Sequence, residues 1–468
     1  MKTLAFILLT LATAGAVEIE GLPKPAAPRS AKLVSPQEKT LANGLRVIVI
    51  ERPGVPLLSA ELIVRSGSET DPEKLAGLAK FTASLLTQGT AKRTATQIAS
   101  EVESLGASLG ADAGWDSFHL ALKTLSNNAG AAFEILADVA RNPQFAPEEI
   151  ERHRRQALDD LRVEMETPGQ VARVVAGRAL LGSSPYAHPA QGTLVSLPRV
   201  KRADITALHA RVFVPGNALL VLAGNVTAAD GFALAEKVLG DWPATKAPAP
   251  VAPNAAGQKP RAILVDLPQA GQAAVYVGAP GLGKSDPAFT IAEVTNAVLG
   301  TGYSSRLNQE IRLKRGLSYG AASRLTTSRE FGIFAASCQT KNESAAEVIG
   351  IIQTELKRLA SEPIPENYFA SRKAVLTGNF ARELETNDGY LSRVADLALH
   401  GLPLELLTSR VERIRSVSAD EVRSFAEKHL AVDAMTVVVV GRAKDVAKPL
   451  REIFPKLEVI PQSEVARE

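Results

Sequence analysis

The chain has 468 residues, with 53 basic and 50 acidic side chains, 46 % hydrophobic residues, six histidines and one cysteine. At roughly 150 residues per domain this suggests two to four domains with more than one buried core. A disulfide scaffold is excluded, a net charge of +3 gives no basic footprint for nucleic acid, and so apolar a chain with balanced charge is not disordered in bulk. Six histidines leave little material for a zinc site.

The first residues, Met1-Lys2-Thr3, precede an apolar run from Leu4 to Leu11 and the small residues Ala12-Thr13-Ala14-Gly15-Ala16. This is the pattern of a secretory signal peptide over 1–16, with cleavage near Ala14 or Ala16. The run is too short to span a bilayer comfortably, and no later stretch reaches about 18 uninterrupted apolar residues. We therefore expect an exported protein, periplasmic or secreted, with no membrane span. The lone Cys338 is read as a small buried hydrophobe.

After a Pro/Ala-rich leader at 17–36, Asn43-Gly44 signals a turn before a strand, Leu45 to Ile50. A second strand is Ala60 to Val64, and helical spacing follows from Leu75 to Leu86. Further helices are expected at Ala95 to Leu105, Gly130 to Val139, Pro147 to Glu166 and Arg202 to Val212, and a buried strand at Ala218 to Gly224. Residues 243–260 are rich in proline and alanine, lack periodicity and read as a linker. It separates a unit at 37–242 from one at 261–460, with a tail at 461–468.

The second unit repeats the first. Pro147-Glu148 recurs as Pro365-Glu366, Leu158 as Leu376, Glu166-Thr167 as Glu385-Thr386, and the strand before Gly224 as the one before Gly441, at offsets of 218, 218, 219 and 217 residues. Near-constant displacement points to a tandem duplication of a roughly 200-residue α/β unit, with a cleft between the copies as the natural ligand site.

Gly278-Ala279-Pro280-Gly281-Leu282-Gly283-Lys284-Ser285 matches the phosphate-loop spacing after a strand at Ala273 to Val277. Pro287 would fall inside the helix that must follow the lysine, so the segment is read as an ordinary strand-to-helix connection.

Leu75-Ala76-Gly77-Leu78-Ala79 leading to Gly89-Thr90, then Tyr186-Ala187-His188-Pro189, Phe213-Val214-Pro215-Gly216-Asn217 and Gly224-Asn225-Val226, form one series of landmarks. Leu299-Gly300-Thr301-Gly302-Tyr303-Ser304-Ser305-Arg306-Leu307 and Arg312-Leu313-Lys314-Arg315-Gly316-Leu317-Ser318-Tyr319 form another. Together they resemble the insulinase-like, or pitrilysin-type (M16), metallopeptidase family over about residues 35 to 460. The resemblance implies an α+β fold: two homologous units, each a mostly antiparallel sheet with helices on one face, forming a clamshell.

That family binds zinc through an inverted H-x-x-E-H on a helix, with an acidic third ligand further on. Histidines at i and i+4 share one helical face, and the glutamate takes a proton from metal-bound water. This chain has Lys80, Ala83 and Ser84 at the matching positions. Lysine repels a dication, alanine cannot act as a base and serine is a poor zinc ligand. His119, His153, His188, His209, His400 and His429 are never three to five residues apart, and Asp159-Asp160, near the third-ligand position, read as solvent-facing acids. His188, before a proline, is given a structural role. No metal is expected in this chain.

In family members the residues matching Arg315 and Tyr319 contact the substrate and its oxyanion from the second half. A guanidinium and a phenol are both donors suited to that role. Gly300 and Gly302 are candidates for positioning extended substrate, with a tight turn as the alternative. Some members divide the work between two chains, and this one resembles the non-zinc-binding type. The implied function is one subunit of an exported heterodimeric peptidase, inactive alone. Its partner would be an H-x-x-E-H homologue carrying the zinc, and its substrates peptides. The alternative is a scaffold or peptide-binding protein with no peptidase role.

Overall fold

The computed structural model describes residues 33–251, 258–329 and 331–465. The segment read as a signal peptide, most of the leader and the middle of the linker lie outside the described residues.

Twelve strands form two sheets of the same plan. The first contains β1 (Gln37–Thr40), β2 (Arg46–Glu51), β3 (Leu57–Val64), β4 (Ser108–Ala113), β5 (Phe118–Leu125) and β6 (Ala218–Gly224) in the order β1-β2-β6-β3-β5-β4. The second contains β7 (Ala262–Asp266), β8 (Ala273–Leu282), β9 (Ala321–Thr327), β10 (Phe331–Thr340), β11 (Thr436–Gly441) and β12 (Glu458–Pro461) in the order β12-β7-β11-β8-β10-β9. Five strands of each sheet, β2-β6-β3-β5-β4 and β7-β11-β8-β10-β9, correspond one to one, with β2–β6 and β7–β11 parallel and their other pairs antiparallel. The sixth strands differ: β1 runs antiparallel to β2 and precedes it, whereas β12 runs parallel to β7 and arrives from the end of the chain. The α+β fold with two homologous units is thus observed.

Period-two alternation decides which face each strand gives to which helices. Val47, Val49, Leu62, Leu120 and Leu122 turn towards the helices of their own half, among them Leu78–Leu85 and Ala129–Arg141. The resemblance implies helices on one face of each sheet; the opposite face is covered as well, by a helix from the other half. Helix Pro168–Leu181, from the first half, lays Val171, Ala172, Val175, Ala176 and Ala179 on Ile263, Val265, Ala274, Val438 and Val440 of the second sheet. Reciprocally, helix Asn387–Leu399 lies on β3 and β6 of the first sheet. Every residue of β6 and β11 is consequently buried, which explains why both read as continuous apolar runs.

Local chemistry fixes the second exchanged helix. Thr386 caps its N-terminus by accepting the N–H of Gly389 (3.0 Å). Arg52 of the first half donates to the carbonyls of Glu385 (2.9 Å) and Thr386 (2.6 Å), and Ser59 donates to Asp388 (2.7 Å).

Two local expectations change. Gly278–Leu282 belongs to β8, with Gly278 opposite Ala335 of β10, so the phosphate-loop lookalike is mostly strand rather than a connection. Its carbonyls and N–H groups serve the ladder, and Lys284 pairs with Asp396 (3.0 Å). The helix read from Leu75 begins at Leu78, because Gly77 adopts φ +90° and a side chain there would meet the Gly192 backbone at 2.6 Å.

Val394→Ala tests the exchange. Val394 is fully buried, and its truncation should cost roughly 1–3 kcal/mol in urea unfolding. Amide exchange should rise in β3 and β6, although Val394 belongs to the second half; a rise confined to the second sheet contradicts the exchanged arrangement.

Candidate functional site

The helix at the family's metal position starts on a buried cap. The Asp71 carboxylate accepts the N–H groups of Gly77 and Ala79, both at 2.9 Å. Leu78, Ala79, Phe81, Ala83 and Leu85 face the core. Lys80 reaches Asp112 on the edge strand β4 (3.0 Å). Ala83 is wholly buried, and Ser84 donates its hydroxyl back to the Phe81 carbonyl (2.8 Å). A cation, a methyl group and a committed hydroxyl cannot assemble a zinc ligand set, so these residues do not fit the metal.

The remaining candidates do not supply one. Asp159 and Asp160 are exposed on helix Pro147–Met165, paired with Arg162 and Gln156 respectively. His188 meets the Ser68 carbonyl (3.0 Å), His209 the Ala140 carbonyl (2.9 Å) and His400 the Asp396 carbonyl (2.8 Å). His153 lies beside Arg152, and His429 stacks on Phe425. His119 bonds Ser117 and Glu61. Among the described residues no group of three potential ligands could hold a metal ion.

The second half presents Arg315 and Tyr319 on the turn after a π-helix, Asn308–Leu313. Arg315 uses Nη1 to bond the Glu310 carboxylate (2.5 Å) and carbonyl (2.9 Å). Burial opposes ionisation of Glu310, but hydrogen bonds from Arg315 and Lys314 prevail and hold its carboxyl below the usual range. Tyr319 is 89 % exposed. No hydrogen bond or ion pair among the described residues joins Arg315 or Tyr319 to Lys80, Ala83 or Ser84.

Gly300 and Gly302 play different parts. A side chain at Gly300 would lie 2.1 Å from the Ser323 nitrogen, so glycine lets the loop rest on β9. Gly302, at φ +82°, faces open space and makes the turn. Arg372, buried in helix Glu366–Glu383, braces this loop through the Thr301 carbonyl (3.3 Å) and Ser304 hydroxyl (2.8 Å). Sequence reasoning missed Arg372 and Glu310. Only the four-residue spacing of Glu310 and Lys314 offered a signal.

A junction between the halves closes over buried acids. Asp116 accepts from the Tyr186 hydroxyl (2.5 Å) and from the backbone N–H of Arg329 (3.1 Å) in the second half. Burial first, and then the charge of Asp116, pushes Glu69 up to about 8. Burial likewise pushes Asp71 up to about 8.

The architecture is a duplicated sheet pair with exchanged helices, on which the metal-position helix has lost its donors. That defines a peptidase-type fold in which Lys80, Ala83 and Ser84 do not fit a zinc ion. The model of the insulinase family (peptidase family M16) matches residues 46–179, and that of the peptidase M16 inactive domain matches residues 199–376. The chain belongs to peptidase family M16 and has the fold of its inactive-type members. It is similar to an uncharacterized zinc protease of Mycobacterium tuberculosis, 28 % identical over 89 % of this chain and 95 % of the relative. It is also similar to the non-peptidase homolog YmxG of Helicobacter pylori, 25 % identical over 85 % of this chain and 92 % of that protein. A crystal structure of a peptidase M16 inactive domain from Pseudomonas fluorescens superposes with a TM-score of 0.82 at 27 % identity, covering 87 % of this chain and 98 % of that one.

The acids give a pH dependence of defined sign. A carboxyl raised to about 8 contributes most to stability below its ordinary value of 4.5, and the contribution is lost as pH rises through 8. Glu69→Gln should therefore raise the thermal midpoint most at pH 8 and least at pH 5. Equal shifts at both pH values would contradict the raised value.

Proposed function

We propose that this chain is the non-zinc-binding subunit of an exported heterodimeric M16-type metallopeptidase. Its partner is an H-x-x-E-H homologue that carries the zinc, and its substrates are peptides. The observation that carries this reading is the presentation of Arg315 and Tyr319 on a chain whose own metal position has no ligands. Glu310 anchors one corner of the guanidinium and leaves Nε and Nη2 for an incoming carbonyl or oxyanion, while the Tyr319 phenol projects into solvent. Anchoring reduces the rotamer freedom lost when substrate binds. Gly302 keeps the neighbouring loop free of a side chain where extended peptide would pass.

Export is supported by the signal-peptide pattern at 1–16. Among the described residues no helix is long and apolar enough to cross a membrane.

Pull-down from the native host followed by mass spectrometry should recover an M16 homologue of similar length bearing H-x-x-E-H. Arg315→Ala and Tyr319→Phe should each lower peptidase activity of the reconstituted pair by roughly 10²-fold, the scale of one lost oxyanion donor. Unchanged activity in both variants, or no such homologue, favours the scaffold alternative. A further expectation concerns the isolated chain: elemental analysis after dialysis should find far less than one zinc per chain, and stoichiometric zinc would overturn the assignment.

A further inference from the structure

The first half carries a second set of reactive groups that the heterodimer reading does not use. The Ser117 hydroxyl lies 2.7 Å from Nε2 of His119, and Nδ1 of the same ring lies 2.8 Å from Oε1 of Glu61. Sheet register assembles the three. Ser117 directly precedes β5 and His119 is its second residue, so their side chains leave the same face. Ile63 of β3 stands opposite His119, and Glu61, two residues away, shares that face. With the Glu61 carboxylate as acceptor, the ring proton is assigned to Nδ1, and Nε2 presents its lone pair to the Ser117 hydroxyl. This is the order of nucleophile, base and orienting carboxylate used in acyl transfer.

The surroundings suit the same chemistry. The His119 side chain is 33 % exposed and that of Glu61 18 %, whereas Ser117 is 3 % exposed. The imidazole thus stands at the mouth and the nucleophile at the floor, which limits access to small or narrow electrophiles. Arg329 brings a cation to this end of the strand pair. Its guanidinium donates to the Arg65 carbonyl (3.2 Å), and its N–H reaches Asp116, the residue before Ser117. A guanidinium there can stabilise charge developing on an acyl oxygen.

We propose that Ser117, His119 and Glu61 form an acyl-transfer site that hydrolyses small activated esters without a partner chain. Ser117 Oγ bonds to the ester carbonyl carbon while its proton passes to His119 Nε2. The bond to the leaving oxygen then breaks, and the alcohol departs with that proton. Water next adds to the acyl carbon as Nε2 takes its proton, the bond to Oγ breaks, and Ser117 regains the proton. The net change is ester plus water to acid plus alcohol, with Glu61 holding the His119 ring in place throughout.

Incubating the isolated chain with a fluorophosphonate probe, which phosphonylates an activated serine with loss of fluoride, tests the proposal by intact mass and peptide mapping. One adduct per chain is expected at Ser117 and none in Ser117→Ala. His119→Gln should slow labelling by about a hundredfold or more, and Glu61→Gln by at least about tenfold. Circular dichroism shows whether each variant is folded, and the third-exposed His119 makes its variant the least disruptive. No adduct on the folded wild-type chain overturns the proposal, as does an adduct elsewhere or an unchanged rate in folded His119→Gln. The partner subunit takes no part, so failure here leaves the heterodimer reading standing, and the reverse.

Discussion

Each sheet of this molecule is completed by a helix that belongs to the other half. A six-stranded sheet with helices on one face would leave Ile63 of β3 and Leu219 and Val221 of β6 facing water, and helix Asn387–Leu399 packs on both strands. Burying one valine or leucine side chain contributes roughly 1.5–3 kcal/mol, so a helix carrying Tyr390, Leu391, Val394, Ala395 and Ala398 inward outweighs any single polar contact at the junction. Because the exchange is reciprocal, neither half can shed its partner without exposing two apolar faces. The duplication is therefore locked as a pair, and loops in both halves are held on one frame.

The same frame explains how the metal position could be lost without loss of the fold. Five apolar residues of helix Leu78–Leu85 are pinned by packing, and its N-terminus is satisfied by Asp71 rather than by anything at the metal site. The Lys80–Asp112 pair is largely solvated, 39 % and 65 % exposed, and pairs of that kind contribute about 0–1 kcal/mol. Stability here comes from apolar burial and capping, and neither requires the side chains that a metal would need.

What could be read from the sequence follows from the range of the interaction concerned. Strand β6 and helix Arg202–Val212 emerge at their observed limits because local patterning determines them. The duplication shows in the spacing of proline and glycine landmarks. The helix exchange does not: an all-apolar strand announces burial on both faces but not what covers the second. The Gly278 to Ser285 segment matches phosphate-loop spacing because glycines that suit such a loop also suit a strand pressed against a neighbour, and the strand runs on to Leu282. A side chain at Gly278 would meet the Phe334 carbonyl at 2.9 Å. Ser117 and His119 are two residues apart, yet Glu61 joins them only through the β3–β5 register, a non-local fact.

The altered metal position is more than three exchanged side chains. Lys80 places one positive charge near Asp112 where the family would place a dication, so the local acid is already neutralised. Ala83 has no accessible surface, and a carboxylate there would have to displace packed neighbours or be buried without a partner. Ser84 has turned its hydroxyl to the helix backbone. The surroundings have closed over the missing groups, whereas the turn bearing Arg315 and Tyr319 remains open. Two copies of one unit thus differ at matching places in the fold, one given to packing and the other to exposed polar groups.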